Sequence, residues 1–497
     1  MIEPHSAWKA ALIGAAFTLL SGSLSTAPLL WNDSTAFIQS AVETVRQGSL
    51  VLFSGVNAGY VLVLSAVLSM GWGLDVLVLL QQASWAATVG LCAFTVVTIT
   101  KRSWMALPMV ILGGYPGIQM YGNLLLSECI FVCCVTNATC LALLARNAIS
   151  PRSKLAFAMA AIIFAMLSAV TKVQGGVVVL LIAAVGAVSI FPVGRGYFVA
   201  VCTTVVASLC VVFGANIARD ASLDRTSRLF GAKTMFCSHL DIVVASQSAA
   251  QLTRETFGAR SAEILDAMQQ MLSAKPTVFP TLGFNADVCQ HNPSFDNLGE
   301  SANAHGTVGL RDWYLRAFLY AVREHPVQYI EKVLRQVVYG LKMSVPPHGL
   351  GEQWTGVPER RDIAARMLDN HVLAADLAAS SSEIRAGALA RLGSLANYGS
   401  RAISIVTGAA LVLSIVGMCW PAYRNRSRNT ATAAAIAALV WWSQALAIAA
   451  SHTLDVWRYL VPVVPSAIIC TLLFGCALAS MTMRRASAEQ SAIERNR

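Results

Sequence analysis

Residues 59–102 read GYVLVLSAVLSMGWGLDVLVLLQQASWAATVGLCAFTVVTITKR. The first apolar run ends at Trp72 and is too short to cross a bilayer comfortably. The second run, 76–99, has the roughly 20 apolar residues that a membrane-spanning helix needs. It ends at Lys101 and Arg102, and basic residues typically flank the cytoplasmic end of a span. This stretch therefore predicts a transmembrane helix with a shorter apolar segment ahead of it.

The composition of the whole chain is that of a membrane protein. Hydrophobic residues make up 56% of the 497 residues and charged residues only 12%, which is about half the charged share usual in soluble domains. A soluble fold of this length needs far more polar surface. This composition excludes an ordinary cytosolic enzyme, a disordered chain and a disulfide-stapled secreted module. We therefore predict an all-α polytopic membrane protein.

Apolar runs of membrane length recur along the chain and predict about ten transmembrane helices. The predicted organisation is a transmembrane catalytic core over 1–217, a mostly helical outer domain over 218–398, and a C-terminal transmembrane region over 399–497 with a basic tail. The predicted spans are 10–30, 76–99, 104–120, 123–145, 155–171, 174–193, 197–217, 400–420, 431–450 and 459–481.

Basic residues orient these helices. The net charge is +10, and it belongs to the segments that flank apolar runs, because 218–398 has equal numbers of acidic and basic residues. Most of the flanking Lys and Arg fall on one side, as the positive-inside rule requires. This pattern predicts cytoplasmic termini and places 218–398 on the outer side. In a Gram-negative bacterium that side is the periplasm, and the location that we expect is a bacterial inner membrane. Because the basic residues do not cluster in a soluble part, a nucleic-acid partner is not expected.

The outer side has two distinctive parts. In the first outer loop, about 31–75, the stretch Thr35–Gln47 has one apolar face, which predicts a short amphipathic helix in the membrane interface. In the outer domain, 311–340 has helical periodicity, and Pro326 marks a kink or a break. Further helices are predicted over 250–273 and 358–392, and a loop is predicted over 275–306.

The predicted topology brings ionisable side chains from distant positions to the outer membrane face. Such groups are costly at membrane depth unless they are paired or functional. The alternative is that each is a solvated loop or interface residue, with His452 and Asp455 as a polar cap on the last span. These side chains are Asp33, Glu43, Glu128, Lys172, His452, Asp455 and Arg458.

Several short motifs follow one another in the same order and on the same predicted side as in a known superfamily. They are WND (31–33), the stretch 59–102, LLLSE (124–128), TKVQGG (171–176), HPVQYIEKVLRQ (325–336) and RYLVPVVP (458–465). Together they resemble the GT-C superfamily of membrane glycosyltransferases, which includes protein O-mannosyltransferases and lipid A aminoarabinose transferases. The first motif departs from the paired acids of some subfamilies, because it has Asn32 before Asp33.

The resemblance implies an inverting enzyme that takes a sugar from a polyprenyl-phosphate carrier and passes it to an envelope glycan, lipid or protein. Asp33 would be the base on the acceptor hydroxyl. Arg458 and Lys172 would bind the carrier phosphate, the first as a bidentate fork and the second as a point charge. Glu128 would orient Lys172 or the hydroxyl, or hold a divalent cation (Mg or Mn) together with Asp33. No other cofactor is expected.

Two further features lie in the connection before the last span. His452, Asp455 and Arg458 are spaced by three residues, so on a helix they would share one side. Tyr459 would line the groove for the lipid, although an interfacial tyrosine is also a common membrane anchor.

Cys237 and Cys289 are set apart from the other cysteines, which lie in or beside apolar runs and read as small packing residues. Both fall in the outer domain, and an oxidising compartment favours a disulfide between them. The alternatives are two free thiols or a metal site with His239 and His291.

Two other functions compete with a glycosyltransferase. A transporter or flippase of lipid-linked sugars would have charged residues within its spans and inverted repeats, and neither is visible. An O-antigen polymerase or ligase would share about ten spans and a large outer loop, but basic residues dominate such sites. The acidic Asp33 directly after the first span favours the glycosyltransferase.

Overall fold

The computed structural model describes residues 4–22, 33–53, 56–115, 118, 120–172, 174–222, 225–273, 279, 281–290, 297, 306–345, 382–454 and 459–495. These residues form helices and connecting turns, with no β-sheet among the described ranges. The predicted all-α architecture is therefore confirmed for this part of the chain.

Within the described residues, seven helices are long and apolar enough to cross a membrane. They agree with seven of the predicted spans. Their membrane-length segments are Leu74–Thr100, Glu128–Asn147, Pro151–Thr171, Arg195–Ile217, Ser400–Gly417, Arg428–Ser451 and Val461–Thr482.

The predicted count of ten spans is not confirmed. The other three predicted spans, 10–30, 104–120 and 174–193, correspond to the shorter apolar segments Ser6–Leu20, Ser103–Gly113 and Gly175–Ile190. At about 1.5 Å per residue, Gly175–Ile190 reaches only about 24 Å of a core about 30 Å thick.

Two helices begin the chain's membrane bundle. Helix α1 (Pro4–Gly22) packs along α4 (Leu74–Thr100). The rings of Trp8 and Phe94 are 4.8 Å apart at one end of this contact, and Ala11 lies against Gly90. Helix α1 is thus a member of the bundle despite its length.

The first outer loop contains the predicted amphipathic helix and a second, apolar one. They are α2 (Ser34–Gln47) and α3 (Ala58–Ser69). The two helices pack through Phe37 and Tyr60, whose ring centroids are 5.0 Å apart. Helix α3 also presses on the bundle at Gly59, where a Cβ atom would lie 2.9 Å from the carbonyl oxygen of Val170. Only glycine permits this approach, which fixes the loop against the outer end of a span.

The remaining transmembrane part uses short connections. A short helix, α5 (Ala106–Gly113), precedes α6 (Glu128–Asn147), α7 (Pro151–Thr171), α8 (Gly175–Ile190) and α9 (Arg195–Ser222). After the outer domain come α17 (Ser382–Gly417), α18 (Pro421–Arg426), α19 (Arg428–Ser451) and α20 (Val464–Arg495). Helix α9 continues past the predicted boundary at 217, and α17 runs without a break through the one at 398.

The outer domain is a helical unit with its own apolar core. Its helices are α10 (Arg225–Ser238), α11 (Leu240–Ala245), α12 (Gln247–Phe257), α13 (Ser261–Ser273), α14 (Ala286–Gln290), α15 (Gly306–Glu324) and α16 (Pro326–Lys342). The predicted break at Pro326 separates α15 from α16. The predicted helix 250–273 is interrupted at Gly258, where φ is +54°. The predicted loop 275–306 contains the short α14, and of the predicted helix 358–392 only 382–392 is described, as helix.

Candidate functional site

A buried ion pair joins two spans at neighbouring ends. Lys172 Nζ lies 2.7 Å from Glu128 Oε1, and the two side chains are only 11% and 3% exposed. Glu128 is the first residue of α6, and Lys172 follows the last residue of α7 in an extended conformation. The pairing satisfies two charges that would each be costly to bury alone. Glu128 was expected to orient either Lys172 or the acceptor hydroxyl, and the structure places it against Lys172.

Two aromatic rings complete the surroundings of Lys172. Its Nζ lies 5.9 Å from the ring centroid of Phe131 and 5.7 Å from that of Tyr459. Both distances are within the range of cation–π attraction. Phe131 follows Glu128 on α6, whereas Tyr459 comes from the connection between α19 and α20. Three segments distant in sequence therefore meet at the ammonium group.

His452 extends this cluster. Its ring centroid is 5.1 Å from that of Tyr459, and its Nδ1 accepts a hydrogen bond from the backbone N–H of Thr453 at 2.7 Å. With Nδ1 as acceptor, the hydrogen of the neutral ring is assigned to Nε2. We name the set Glu128, Lys172, Tyr459 and His452 the outer-face cluster.

The helical spacing predicted for His452, Asp455 and Arg458 is wrong at its start. Helix α19 ends at Ser451, and His452 has φ −144° and ψ −135°, far from helical values. Asp455 and Arg458 lie outside the described residues.

Asp33 is linked to the outer-face cluster indirectly, through residues that it and its neighbours contact. It precedes α2, is partly exposed, and its carbonyl oxygen accepts the N–H of Phe37 at 3.3 Å. Phe37 contacts Tyr60. Tyr60 donates to Gln81, whose backbone carbonyl accepts the thiol of Cys129, the residue after Glu128. The start of α2 is thus connected to the outer-face cluster by a short series of contacts. Trp31 and Asn32, the rest of the WND motif, lie outside the described residues.

Sequence analysis missed Gln81, which ties the first outer loop to this region. It accepts the hydroxyl hydrogen of Tyr60 at 3.0 Å and donates to the carbonyls of Gly122 and Leu124, each at 3.0 Å. Its own carbonyl accepts the thiol of Cys129. The signal was present in the sequence, because two adjacent glutamines interrupt an otherwise apolar span.

Helix α16 of the outer domain holds the connection that carries His452 and Tyr459. The Tyr329 hydroxyl donates to the carbonyl of Ala450 at 3.1 Å, and Gln336 Oε1 accepts the N–H of Leu454 at 2.9 Å. Gly340 then faces Leu454 and Leu460. The outer domain therefore supports one side of the candidate site.

His239 lies behind this contact. Its ring packs on Phe318 and Tyr329, and its Nδ1 lies 2.9 Å from the carbonyl oxygen of Met235. Burial, and then the charge of Lys332, lower the pKa of His239 to about 3. This histidine is consequently neutral at physiological pH.

The donor set does not favour a divalent cation at Glu128. The ammonium of Lys172 already neutralises this carboxylate, and a metal ion there would stand beside a like charge. Among the described residues, no group of three or more His, Cys, Asp or Glu side chains could hold a metal ion.

Cys237 and Cys289 form a disulfide, with their Cα atoms 5.5 Å apart. It joins α10 to α14 within the apolar core of the outer domain. Because both sulfurs are used in this bond, the alternatives of free thiols and of a metal site with His239 do not apply.

No protein-family model, no characterised protein and no solved structure matches this chain.

Proposed function

We propose that this protein is an inverting membrane glycosyltransferase of the GT-C type. It moves a sugar from a polyprenyl-phosphate carrier to an envelope glycan, lipid or protein. In this proposal it lies in a bacterial inner membrane with cytoplasmic termini, and transfer takes place at the periplasmic face. The resemblance of the motifs supports this choice of reaction.

One observation carries the proposal. Glu128, Lys172 and Tyr459 lie in three of the resembling motifs, and these three side chains meet: Nζ of Lys172 is 2.7 Å from Glu128 Oε1 and 5.7 Å from the Tyr459 ring. A merely solvated loop lysine would be exposed. Here a buried cation is held at the outer ends of two spans, the depth at which the phosphate of a polyprenyl lipid would lie.

Lys172 suits the role of phosphate ligand. An ammonium group has three donors, so the bond to Glu128 leaves others for phosphate oxygens. The Glu128 carboxylate holds the ammonium in place, and the flanking Phe131 and Tyr459 rings shield it from water. In this partly dehydrated position a single positive charge interacts more strongly with an anion than it would in water.

The proposed reaction is a single displacement. The oxygen of the acceptor hydroxyl bonds to the anomeric carbon while the bond from that carbon to the phosphate oxygen breaks. The hydroxyl proton passes to Asp33, and the electron pair leaves with the polyprenyl phosphate. Lys172 and Arg458 offset the charge that develops on the phosphate.

The test is donor turnover in liposomes that contain the purified protein, polyprenyl-phosphate hexoses or pentoses, and an envelope extract as acceptor. Release of polyprenyl phosphate is measured, because it forms whatever the acceptor is. Lys172→Gln is compared with Lys332→Gln. Lys332 is a matched control, since it is also buried and also paired with a carboxylate, Asp241, at 2.7 Å.

We expect Lys172→Gln to raise the apparent donor KM and to lower turnover by 10²-fold or more, the scale of losing an electrostatic contact in a transition state. Lys332→Gln should change neither once activity is normalised to folded protein. The absence of turnover with every donor, or equal donor kinetics in the wild type and Lys172→Gln, would contradict the proposal.

A further inference from the structure

Helix α16 has three different faces. One face packs on the protein and contains the buried residues Lys332, Gln336, Val337 and Gly340. A second face is polar and borders a groove in the outer domain, where Gln328, Glu331 and Arg335 lie opposite Asp241. The third face is apolar and exposed.

The exposed apolar face is a continuous stripe. Val327, Ile330, Leu334 and Val338 are 75%, 55%, 56% and 50% exposed. Steps of three and four residues place them on one side of the helix. From first to last they extend over about 16 Å, roughly half the thickness of a bilayer's hydrocarbon core. An exposed apolar stripe of this size is typical of a surface that binds another protein or a membrane.

The end of α16 lies at membrane depth. Val345 donates its N–H to Ser404 Oγ at 3.0 Å, and Ser344 Oγ donates to the carbonyl of Ser404 at 3.1 Å. Leu341 lies very close to Gly408. A Cβ atom on Gly408 would be only 2.7 Å from the carbonyl oxygen of Leu341. Ser404 and Gly408 are inside the apolar span Ser400–Gly417, not at its outer end.

The beginning of α16 lies at the membrane surface. Tyr329 contacts Ala450 at the outer end of α19, whereas Gly340 faces Trp441 on the same helix. Trp441 is about 15 Å further along α19 from its outer end at Ser451. Helix α16 therefore descends along the outer half of α19, from the level of the headgroups to the level of Ser404.

The surface beside the stripe is that of a lipid-facing span. Ile405 and Val406, next to Ser404 on α17, are 70% and 59% exposed. Among the charged residues of α16, Lys332 is turned to the protein, and Glu331, at the edge of the stripe, pairs with Arg335 at 3.1 Å beside the groove. Apolar neighbours at the same depth identify acyl chains as the partner of the stripe.

We infer that α16 is a half-length membrane helix, which enters the outer leaflet and is covered there by lipid acyl chains along Val327, Ile330, Leu334 and Val338. It is part of the outer domain in sequence but part of the membrane region in position. The same helix holds Leu454 through Gln336, so the lipid-embedded element directly supports the connection that carries His452 and Tyr459. This inference does not depend on the proposed reaction.

The test is photo-crosslinking of the full-length protein in liposomes. Leu334 and Val338 are replaced one at a time by p-benzoylphenylalanine, and lipid adducts are measured by mass spectrometry after illumination. Gln328, an exposed residue on the polar face of α16, is the negative control position. Phe213, which is 70% exposed on the span of α9, is the positive one. A variant that does not accumulate is replaced by one at Ile330.

We expect acyl-chain adducts at Leu334 and Val338 at the level found at Phe213, and several-fold fewer at Gln328. Adducts at Phe213 with none at the two stripe positions would overturn the inference. So would equal labelling of the stripe and Gln328. Cross-links to a second copy of the chain in place of lipid would overturn it as well, and would make the stripe a self-association surface.

Discussion

Gln336 and Leu454, far apart in sequence, are joined by a hydrogen bond of 2.9 Å from the backbone N–H of Leu454 to Oε1 of Gln336. Both residues are fully buried. Through this bond the outer domain holds the connection that begins at His452, which is a member of the outer-face cluster. The outer domain is thus mechanically linked to the candidate site.

Gln336→Leu should lower both stability and transfer. The substitution leaves the buried N–H of Leu454 without its acceptor, which costs about 1–3 kcal/mol, and loosens the segment that carries Tyr459. Gln328→Leu, at an exposed position of the same helix, is the control and should leave both unchanged. Thermal unfolding in detergent and donor turnover measure the two effects. Full activity and stability in Gln336→Leu would show that the bond has no supporting role.

Removal of one member of the Glu128–Lys172 pair should destabilise the protein more than removal of both. Either Glu128→Gln or Lys172→Met leaves one charge buried and unpaired, which costs about 3–5 kcal/mol, whereas the double variant leaves none. A double-mutant cycle on the free energy of unfolding measures this coupling. Additive effects of the two substitutions would mean that the pair is not coupled in the folded protein.

Asp33→Asn should abolish transfer while leaving folding near normal. Asparagine has the same shape but cannot take the acceptor proton, and loss of a general base typically costs about 10²-fold or more. Asp75→Asn is a matched control, because Asp75 is an accessible carboxylate in the first turn of another helix. Wild-type turnover in Asp33→Asn would exclude this residue as the base.

Arg458→Lys should reduce transfer partly, and Arg458→Ala should reduce it much further. Lysine keeps the charge but loses the bidentate geometry, and alanine leaves the phosphate without either. Donor titration should show weaker apparent donor affinity with little change for the acceptor. Arg401→Ala, at an exposed arginine that begins another span, should behave as wild type. Equal donor affinity in wild type and Arg458→Ala would make Arg458 a simple membrane anchor.

His239 should make the protein less stable as the pH falls below about 6.5. Its folded-state pKa is lowered to about 3, so between pH 6.5 and 3 the unfolded chain binds a proton that the folded chain does not. The free energy of unfolding should fall by about 1.4 kcal/mol per pH unit in this window. His239→Gln should remove that slope in thermal unfolding between pH 6.5 and 5.

Glu324 provides the control for this pH dependence. Hydrogen bonds from Ser248 and Ser246 lower the pKa of its carboxyl to about 2. Its contribution to stability is therefore present above its ordinary pKa and is lost at lower pH than that of His239. Glu324→Gln should leave the slope between pH 6.5 and 5 intact. An unchanged slope in His239→Gln would show that other groups cause the acid sensitivity.

Local patterns in the sequence were enough to predict the class of fold and the positions of many of its helices. Apolar runs of membrane length predicted the seven long apolar helices, and the face of Thr35–Gln47 predicted α2, because burial in lipid or at its interface dictates composition locally. Pro326 likewise separated α15 from α16 for a local reason, since proline lacks the N–H that a continuous helix needs.

Tertiary structure alone decided which polar groups meet and how deep each element lies. The pairing of Lys172 with Glu128, 44 residues earlier, and its contact with the Tyr459 ring, more than 280 residues later, depend on how the helices pack. The depth of α16 depends on its contacts with Ser404 and Gly408. The exposed valines, isoleucine and leucine of α16 predict an amphipathic helix. They do not predict what covers its apolar face, because lipid and protein partners select the same apolar side chains.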